Sequence, residues 1–151
     1  MNNNRIKLSI DFLLAVLVAF CLATISHSQF VLLELSKVGA EINFVTRVSA
    51  SFSDLLGLLP TYAPVIAIGM LISLPFATWL RSKFSSSFRG WYPIAGGATM
   101  LAIHAAMYPI LEITLIAGAR SVLGLLMQVT AGVIGGWVFY QLRTRSLSQT
   151  K

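Results

Sequence analysis

Long apolar runs, separated by short polar or basic segments, dominate the pattern of the chain. Four such runs cover approximately residues 8–28, 60–80, 91–117 and 120–142. A helix needs about 20 apolar residues to cross the hydrocarbon core of a bilayer, which is about 30 Å thick. The pattern therefore predicts an all-α integral membrane protein with four transmembrane helices, in which residues 1–151 form a single membrane domain.

The first apolar run is expected to continue as a helix beyond the membrane. Apolar residues resume at Phe30, so the helix is predicted to reach about Val38 and to stop at Gly39, a residue suited to the C′ position. A cleaved signal peptide over residues 1–25 is the alternative, because a basic start precedes an apolar run. Asp11 interrupts that run and no small-x-small cleavage site follows, which favours a retained span.

Residues 43–59 show the clearest periodicity of the chain. At 100° per residue, their large apolar side chains fall within one arc of about 120°, and polar side chains occupy the rest of the wheel. The apolar set is Phe44, Val45, Val48, Phe52, Leu55, Leu56 and Leu59. This predicts an amphipathic helix on the outer face, between the first two spans, lying on the outer leaflet or capping the bundle. A short helix packed on the protein itself is the alternative.

Two prolines fall inside the later apolar runs. Pro75 is expected to kink the second membrane helix. Residues 91–108 alone would span about 27 Å, so Pro109 either kinks one long third helix or begins a separate outer segment, 109–118. Both interpretations of Pro109 are open from the sequence.

Composition agrees with the membrane class. Apolar residues make up 56 % of the chain and charged residues only 11 %, and the mean hydropathy is +0.80. Soluble domains usually carry about a quarter charged residues. With so few charges the chain cannot cover a water-facing surface, and it needs lipid as part of its solvent.

The net charge of +6 is unevenly distributed. Eight of the 11 basic residues lie in three clusters that would share one side of the membrane if the chain crosses four times. The clusters are Arg5 and Lys7; Arg81, Lys83 and Arg89; and Arg143, Arg145 and Lys151. By the positive-inside rule, both termini are predicted to be cytoplasmic in a cell-membrane protein, and nucleic-acid binding is not expected. Asp11 is expected to pair with Lys7 at the membrane interface, since the two are four residues apart.

Polar residues in the outer part of the third run form a candidate site. His104, Tyr108 and Glu112 recur every four residues and would share one face of a helix that continues through Pro109, with Arg120 in the following turn. A buried histidine beside a carboxylate can relay protons or bind a cationic group. Alternatively, His104 bonds only a neighbouring carbonyl, and Glu112 pairs with Arg120 at the interface.

Small residues recur at helical spacing in the last two runs. They are Ala98, Ala102 and Ala106 in the third run, and Gly124, Gly132 and Gly136 on one face with Gln128 in the fourth. Such faces let helix backbones approach closely in lipid, either within one chain or in a homo-oligomer. Gln128, near mid-span, is expected to hydrogen-bond across a helix interface.

The sequence carries no recognisable catalytic set. Two histidines and one cysteine, far apart along the chain, do not predict a metal site, and no cofactor motif is present. We therefore expect a non-enzymatic accessory or scaffold subunit that binds membrane lipid or a membrane protein partner, or forms a homo-oligomer. A small oligomeric transporter or channel that uses the region of His104, Glu112 and Arg120 is the alternative. A membrane enzyme acting on a lipid or quinone is the third hypothesis.

Overall fold

The computed structural model describes residues 2–84, 88–111 and 121–148, and the regular structure within them is helical. The helices are α1 (Asn2–Lys37), α2 (Phe44–Leu58), α3 (Tyr62–Lys83), α4 (Trp91–Leu111) and α5 (Val122–Ser148). Within these residues three stretches are long and apolar enough to cross a membrane: Asn4–Lys37, Tyr62–Lys83 and Val122–Ser146. The fold is consistent with a helical membrane protein.

A glycine ends the first helix. Gly39 has φ +93, a conformation that glycine adopts without the steric penalty of a Cβ atom. The amide of Ala40 donates to the carbonyl of Leu35 at 3.2 Å, and the amide of Gly39 donates to Ser36 at 3.2 Å. These bonds satisfy carbonyls at the end of the helix. With 36 residues, α1 is about 54 Å long and exceeds the thickness of the hydrocarbon core.

The second helix begins at a side-chain cap. Asn43 has an extended backbone, and its Oδ1 accepts a hydrogen bond from the amide of Thr46 at 2.8 Å. This satisfies one of the amides that a helix start leaves without an intrahelical partner. The observed helix, Phe44–Leu58, lies within the segment 43–59 that the periodicity indicated.

The two internal prolines do not end their helices. Pro75 lies inside α3, which is continuous from Tyr62 to Lys83. The fourth helix passes through Pro109 and reaches Leu111, where the second described range ends. The rest of the expected outer segment, 112–118, lies outside the described residues.

The four long helices pack in a ring. In this ring α5 lies between α1 and α4, α3 lies between α4 and α1, and α2 packs chiefly on α1. The core at the centre of the ring contains Ala19, Phe20, Ile66, Met70, Leu74, Met100 and Ala131. Each long helix contributes at least one of these side chains, so the bundle has a single apolar core.

The closest helix contact joins α4 and α5. A Cβ atom on Gly136 would overlap the carbonyl oxygen of Tyr92, and a Cβ on Gly132 would overlap that of Gly96. Gly135, on the neighbouring face of α5, lies against α1: its Cβ would come within 2.8 Å of the Cβ of Ala19. The glycines of α5 therefore serve contacts with two helices of the same chain.

The alanines of the fourth helix lie elsewhere. Ala98, Ala102 and Ala106 are all exposed, so they do not provide the packing within the bundle that their spacing suggested. On α5, Gly124 is buried near the start of the helix, and its amide donates a capping hydrogen bond to Oγ of Ser121 at 3.0 Å. The α4 contact with α5 uses Tyr92 and Gly96 instead of the alanines.

Candidate functional site

The described residues include only part of the site predicted in the outer half of the third run. His104 lies on α4 and is buried, with 6 % of its surface exposed. The side chain of Tyr108 lies outside the described residues, as do Glu112 and Arg120. Of the predicted stripe, only His104 can therefore be placed.

The His104 ring is bonded at one nitrogen. Nδ1 lies 2.8 Å from the carbonyl oxygen of Met100, one turn earlier on α4. Nε2 is buried and has no hydrogen-bond partner among the residues that the structure describes. The ring of Tyr62 from α3 stands edge-on to it, with centroids 6.3 Å apart and an interplanar angle of 87°. His104 thus contacts a neighbouring carbonyl, as one of the two interpretations of the sequence expects, and its second nitrogen has no partner among the described residues.

A buried glutamine joins three helices next to this histidine. The hydroxyl of Tyr62 on α3 donates to Oε1 of Gln128 on α5 at 3.0 Å. Nε2 of Gln128 donates to the carbonyl of Ala23 on α1, also at 3.0 Å. Gln128 is 1 % exposed. An unbonded amide would be costly at this depth, and these two bonds hold α1, α3 and α5 in register.

Polar contacts continue from α1 to the second helix. The hydroxyl of Ser28 lies 2.6 Å from Oδ2 of Asp54 and 3.0 Å from the carbonyl of Thr24. A hydroxyl has one proton, so the shorter contact with the carboxylate takes it. Gln29 donates to Ser51 at 3.0 Å and accepts from Arg47 at 2.8 Å. The polar side of α2 is therefore bonded to α1.

Most of the apolar side of the second helix is exposed, while Leu55 at one edge of it packs against the core. Phe44 is 79 % exposed and Val45 72 % exposed, and Val48, Phe52 and Leu56 are exposed as well. We call these five residues the α2 apolar face. A helix packed on a water-soluble protein would have the opposite orientation, with apolar residues inside. This orientation was not apparent from the sequence, because periodicity locates the two faces but does not show which of them meets the protein.

A large groove lies at the opposite end of the bundle, between α1 and α3, and it has a volume of about 970 Å³. Its walls are Leu8, Ser9, Phe12 and Leu13 of α1 and Leu71, Leu74, Pro75, Thr78, Arg81 and Ser82 of α3, and the remainder of its lining is Tyr92 with Phe139, Tyr140, Arg143 and Thr144 of α5. We call this cavity the basic-end groove. Sequence reasoning missed it because its residues come from four separate segments. The sequence did contain one signal for this groove, because Arg81 and Arg143 each lie close to an aromatic residue.

Asp11 lies near this groove but not in its lining. It is 5 % exposed, and its carboxylate accepts a hydrogen bond from Ser146 on α5 at 3.1 Å. The pair that the spacing predicted with Lys7 is not formed, since the described residues contain one ion pair within 4.0 Å, between Lys37 and Glu34 at 2.7 Å. The side chain of Asp11 is instead buried and bonded to α5.

Within the described ranges, no group of three or more His, Cys, Asp or Glu side chains could hold a metal ion. No protein-family model, no curated protein and no solved structure matches this chain. The structural features that bear on function are the α2 apolar face, the polar contacts around Gln128 and His104, and the basic-end groove.

Proposed function

We propose that this chain is a non-enzymatic multi-pass membrane protein that acts as an accessory or scaffold subunit and holds a membrane protein partner. The observation that carries the proposal is the orientation of α2. Arg47, Ser51 and Asp54 bond α2 to α1, while the α2 apolar face is exposed. A helix held in this way presents a fixed apolar surface outside the bundle, where lipid or a partner can cover it.

The exposed alanines of α4 support the same role. Ala98, Ala102 and Ala106 form a stripe of small side chains on the outer surface of the bundle. In lipid, small residues let a second helix approach closely, and association then rests on van der Waals packing. The partner is a second membrane protein or a second copy of this chain.

Purification from native membranes in a mild detergent tests this role. We expect the chain to be recovered in a complex, and we expect Phe44→Ser with Phe52→Ser, or Ala102→Trp, to release it as a monomer. Ser53→Ala is the matched control on α2, because Ser53 is exposed and lies outside the apolar face. Recovery of the unmodified chain as a monomer without partner or retained lipid would contradict the proposal.

The proposed topology has four crossings with both termini in the cytoplasm. The fourth helix has 21 residues and is about 31 Å long, which is enough to cross the hydrocarbon core. The start of α1 and the ends of α3 and α5 line one groove, which supports a common side of the membrane for the basic residues of these three segments that the structure describes. Labelling of single cysteines in a Cys21→Ser background tests this: Asn4→Cys should react from the cytoplasm and Val45→Cys from outside.

A small transporter is the alternative, and one observation favours it. The Nε2 atom of His104 is buried without a partner among the described residues, as expected of a group that exchanges protons. The neighbouring Tyr62 and Gln128 bond to each other instead of lining an opening. Proteoliposome flux that is lost in His104→Ala and Glu112→Gln would favour transport over the accessory role, and the absence of flux would remove this alternative.

A further inference from the structure

The basic-end groove has the polarity gradient of an amphiphile. Toward the middle of the bundle its walls are apolar, with Leu71 and Leu74 on α3 and Phe12 on α1. Toward the helix ends they carry Arg81 on α3 and Arg143 on α5. Leu71 and Arg81 are ten residues apart, which corresponds to about 15 Å along a helix. The end of the groove near Leu71 suits a hydrocarbon chain, and the end near Arg81 suits a negatively charged group.

The shape of the groove suits a ligand that enters from the membrane. Leu74, Tyr92 and Phe139 are buried in its floor, whereas Leu13, Leu71 and Pro75 on its rim are exposed. The exposed rim residues lie on membrane-length helices, so the rim faces lipid when these helices cross a bilayer. A volume of about 970 Å³ is at the upper end of the range for small-molecule sites, roughly 300–1,000 Å³.

The two arginines have charge available for a ligand. Nη1 of Arg143 donates to the neutral Oδ1 of Asn4 at 3.3 Å. Within the described ranges neither Arg81 nor Arg143 lies within 4.0 Å of a carboxylate. Asp11 is the one acidic residue in segments 1–15, 75–95 and 138–151, and its carboxylate is bonded to Ser146. Among the described residues, basic groups therefore outnumber acidic groups at this end of the groove, and neither arginine is paired with Asp11.

We infer that the basic-end groove binds one anionic phospholipid, with an acyl chain along its apolar walls and the phosphate between Arg81 and Arg143. A guanidinium group binds phosphate through paired N–H donors and stays charged in a partly apolar site. Anionic lipid is concentrated in the cytoplasmic leaflet, and basic pockets between membrane helices on that side bind its headgroups. The groove and the α2 apolar face lie at opposite ends of α1, so lipid binding and the accessory role can fail separately.

Native mass spectrometry of the full-length chain tests this inference, with phosphatidylglycerol or phosphatidylcholine titrated into the detergent-purified protein. We expect one phosphatidylglycerol to bind in preference to phosphatidylcholine. Arg81→Gln with Arg143→Gln should weaken phosphatidylglycerol binding about tenfold to a hundredfold, since two charge-assisted contacts are lost. The matched control is Arg5→Gln with Arg89→Gln, which removes the same charge near the same end but outside the groove lining.

A second variant tests the groove without changing its charge. Leu13→Trp places a bulky ring on the rim and should reduce retention of phosphatidylglycerol while both arginines remain. Equal binding of the two lipids would overturn the inference. So would an equal loss in the Arg5/Arg89 control, which would indicate general attraction to a basic surface, or unchanged retention in Leu13→Trp.

Discussion

Gly96 of α4 and Gly132 of α5 are in backbone contact, and each occupies the space that a side chain on the other would need. A Cβ atom built on Gly96 would overlap the carbonyl oxygen of Gly132, and the reverse holds for a Cβ on Gly132. One turn along, Gly136 makes the same contact with the carbonyl of Tyr92. The approach of these two helices therefore depends on positions that carry no side chain.

Adding one methyl group at this contact should destabilise the bundle. Gly96→Ala or Gly132→Ala is expected to lower the free energy of unfolding by about 1–3 kcal/mol, because the methyl meets backbone that cannot rotate away. Thermal unfolding in detergent measures the change. Gly57→Ala is the control, since its Cβ would meet nothing within 4 Å; it should be neutral or stabilise by about 0.4–1 kcal/mol. Equal effects at the three positions would show that the helices are not in contact there.

The spacing of Gly132 and Gly136 indicates a close helix contact, but it does not identify the partner. The same logic applied to α4 pointed to Ala98, Ala102 and Ala106, which are exposed. The contact uses Tyr92 and Gly96 on another face of the same helix. Which face of a helix turns inward depends on all of its neighbours at once, and spacing along one segment does not contain that information.

The second helix shows a similar division between what can and cannot be predicted. Its bounds followed from periodicity, within one residue at either end. Its orientation did not, because it depends on hydrogen bonds to Ser28 and Gln29, which lie more than fifteen residues earlier on α1. The basic-end groove was missed for the same reason, since residues as distant as Leu8 and Arg143 share it. The hydrophobic pattern of one segment therefore identifies its helix, whereas a site formed by several helices depends on how those helices pack together.

Gln128 should contribute to stability through both of its bonds. Gln128→Leu keeps a similar volume but removes the acceptor of Tyr62 and the donor to Ala23, and we expect a loss of about 1–2 kcal/mol. Tyr62→Phe removes one side of the same interaction. The double variant should lose less than the sum of the single variants, because both changes delete one shared bond. Additive losses in the unfolding measurements would mean that this bond contributes nothing.

The end of the first helix should depend on one backbone conformation. Gly39 has φ +93, and a Cβ on it would meet nothing within 4 Å. Gly39→Ala is therefore expected to cost about 1–2 kcal/mol from backbone strain alone. The change in unfolding temperature relative to Gly57→Ala measures this cost, because both sites are open and only Gly39 has a positive φ. If Gly39→Ala lowered the unfolding temperature no more than Gly57→Ala does, the backbone of Gly39 would be in an ordinary conformation.

The second helix should open more readily when its polar contacts with α1 are removed. Asp54 accepts from Ser28 at 2.6 Å, and Arg47 donates to Gln29 at 2.8 Å. Both contacts are part-buried and involve a charged group, so together they outweigh ordinary neutral surface bonds. In the variant Asp54→Ala with Arg47→Ala, amide hydrogen exchange across Phe44–Leu58 should become about tenfold faster or more, because local opening becomes less costly.

The comparison that isolates these contacts is again Ser53→Ala, on the exposed side of the same helix. It should leave exchange in α2 unchanged. Exchange in α5 should be unchanged in both variants, since Gln128 is bonded to α1 and α3 and its bonds do not involve α2. If α2 exchanged equally fast in the double variant and in Ser53→Ala, its position would not rest on the polar contacts. Contact of its apolar face with detergent or lipid would then be the main force that holds it.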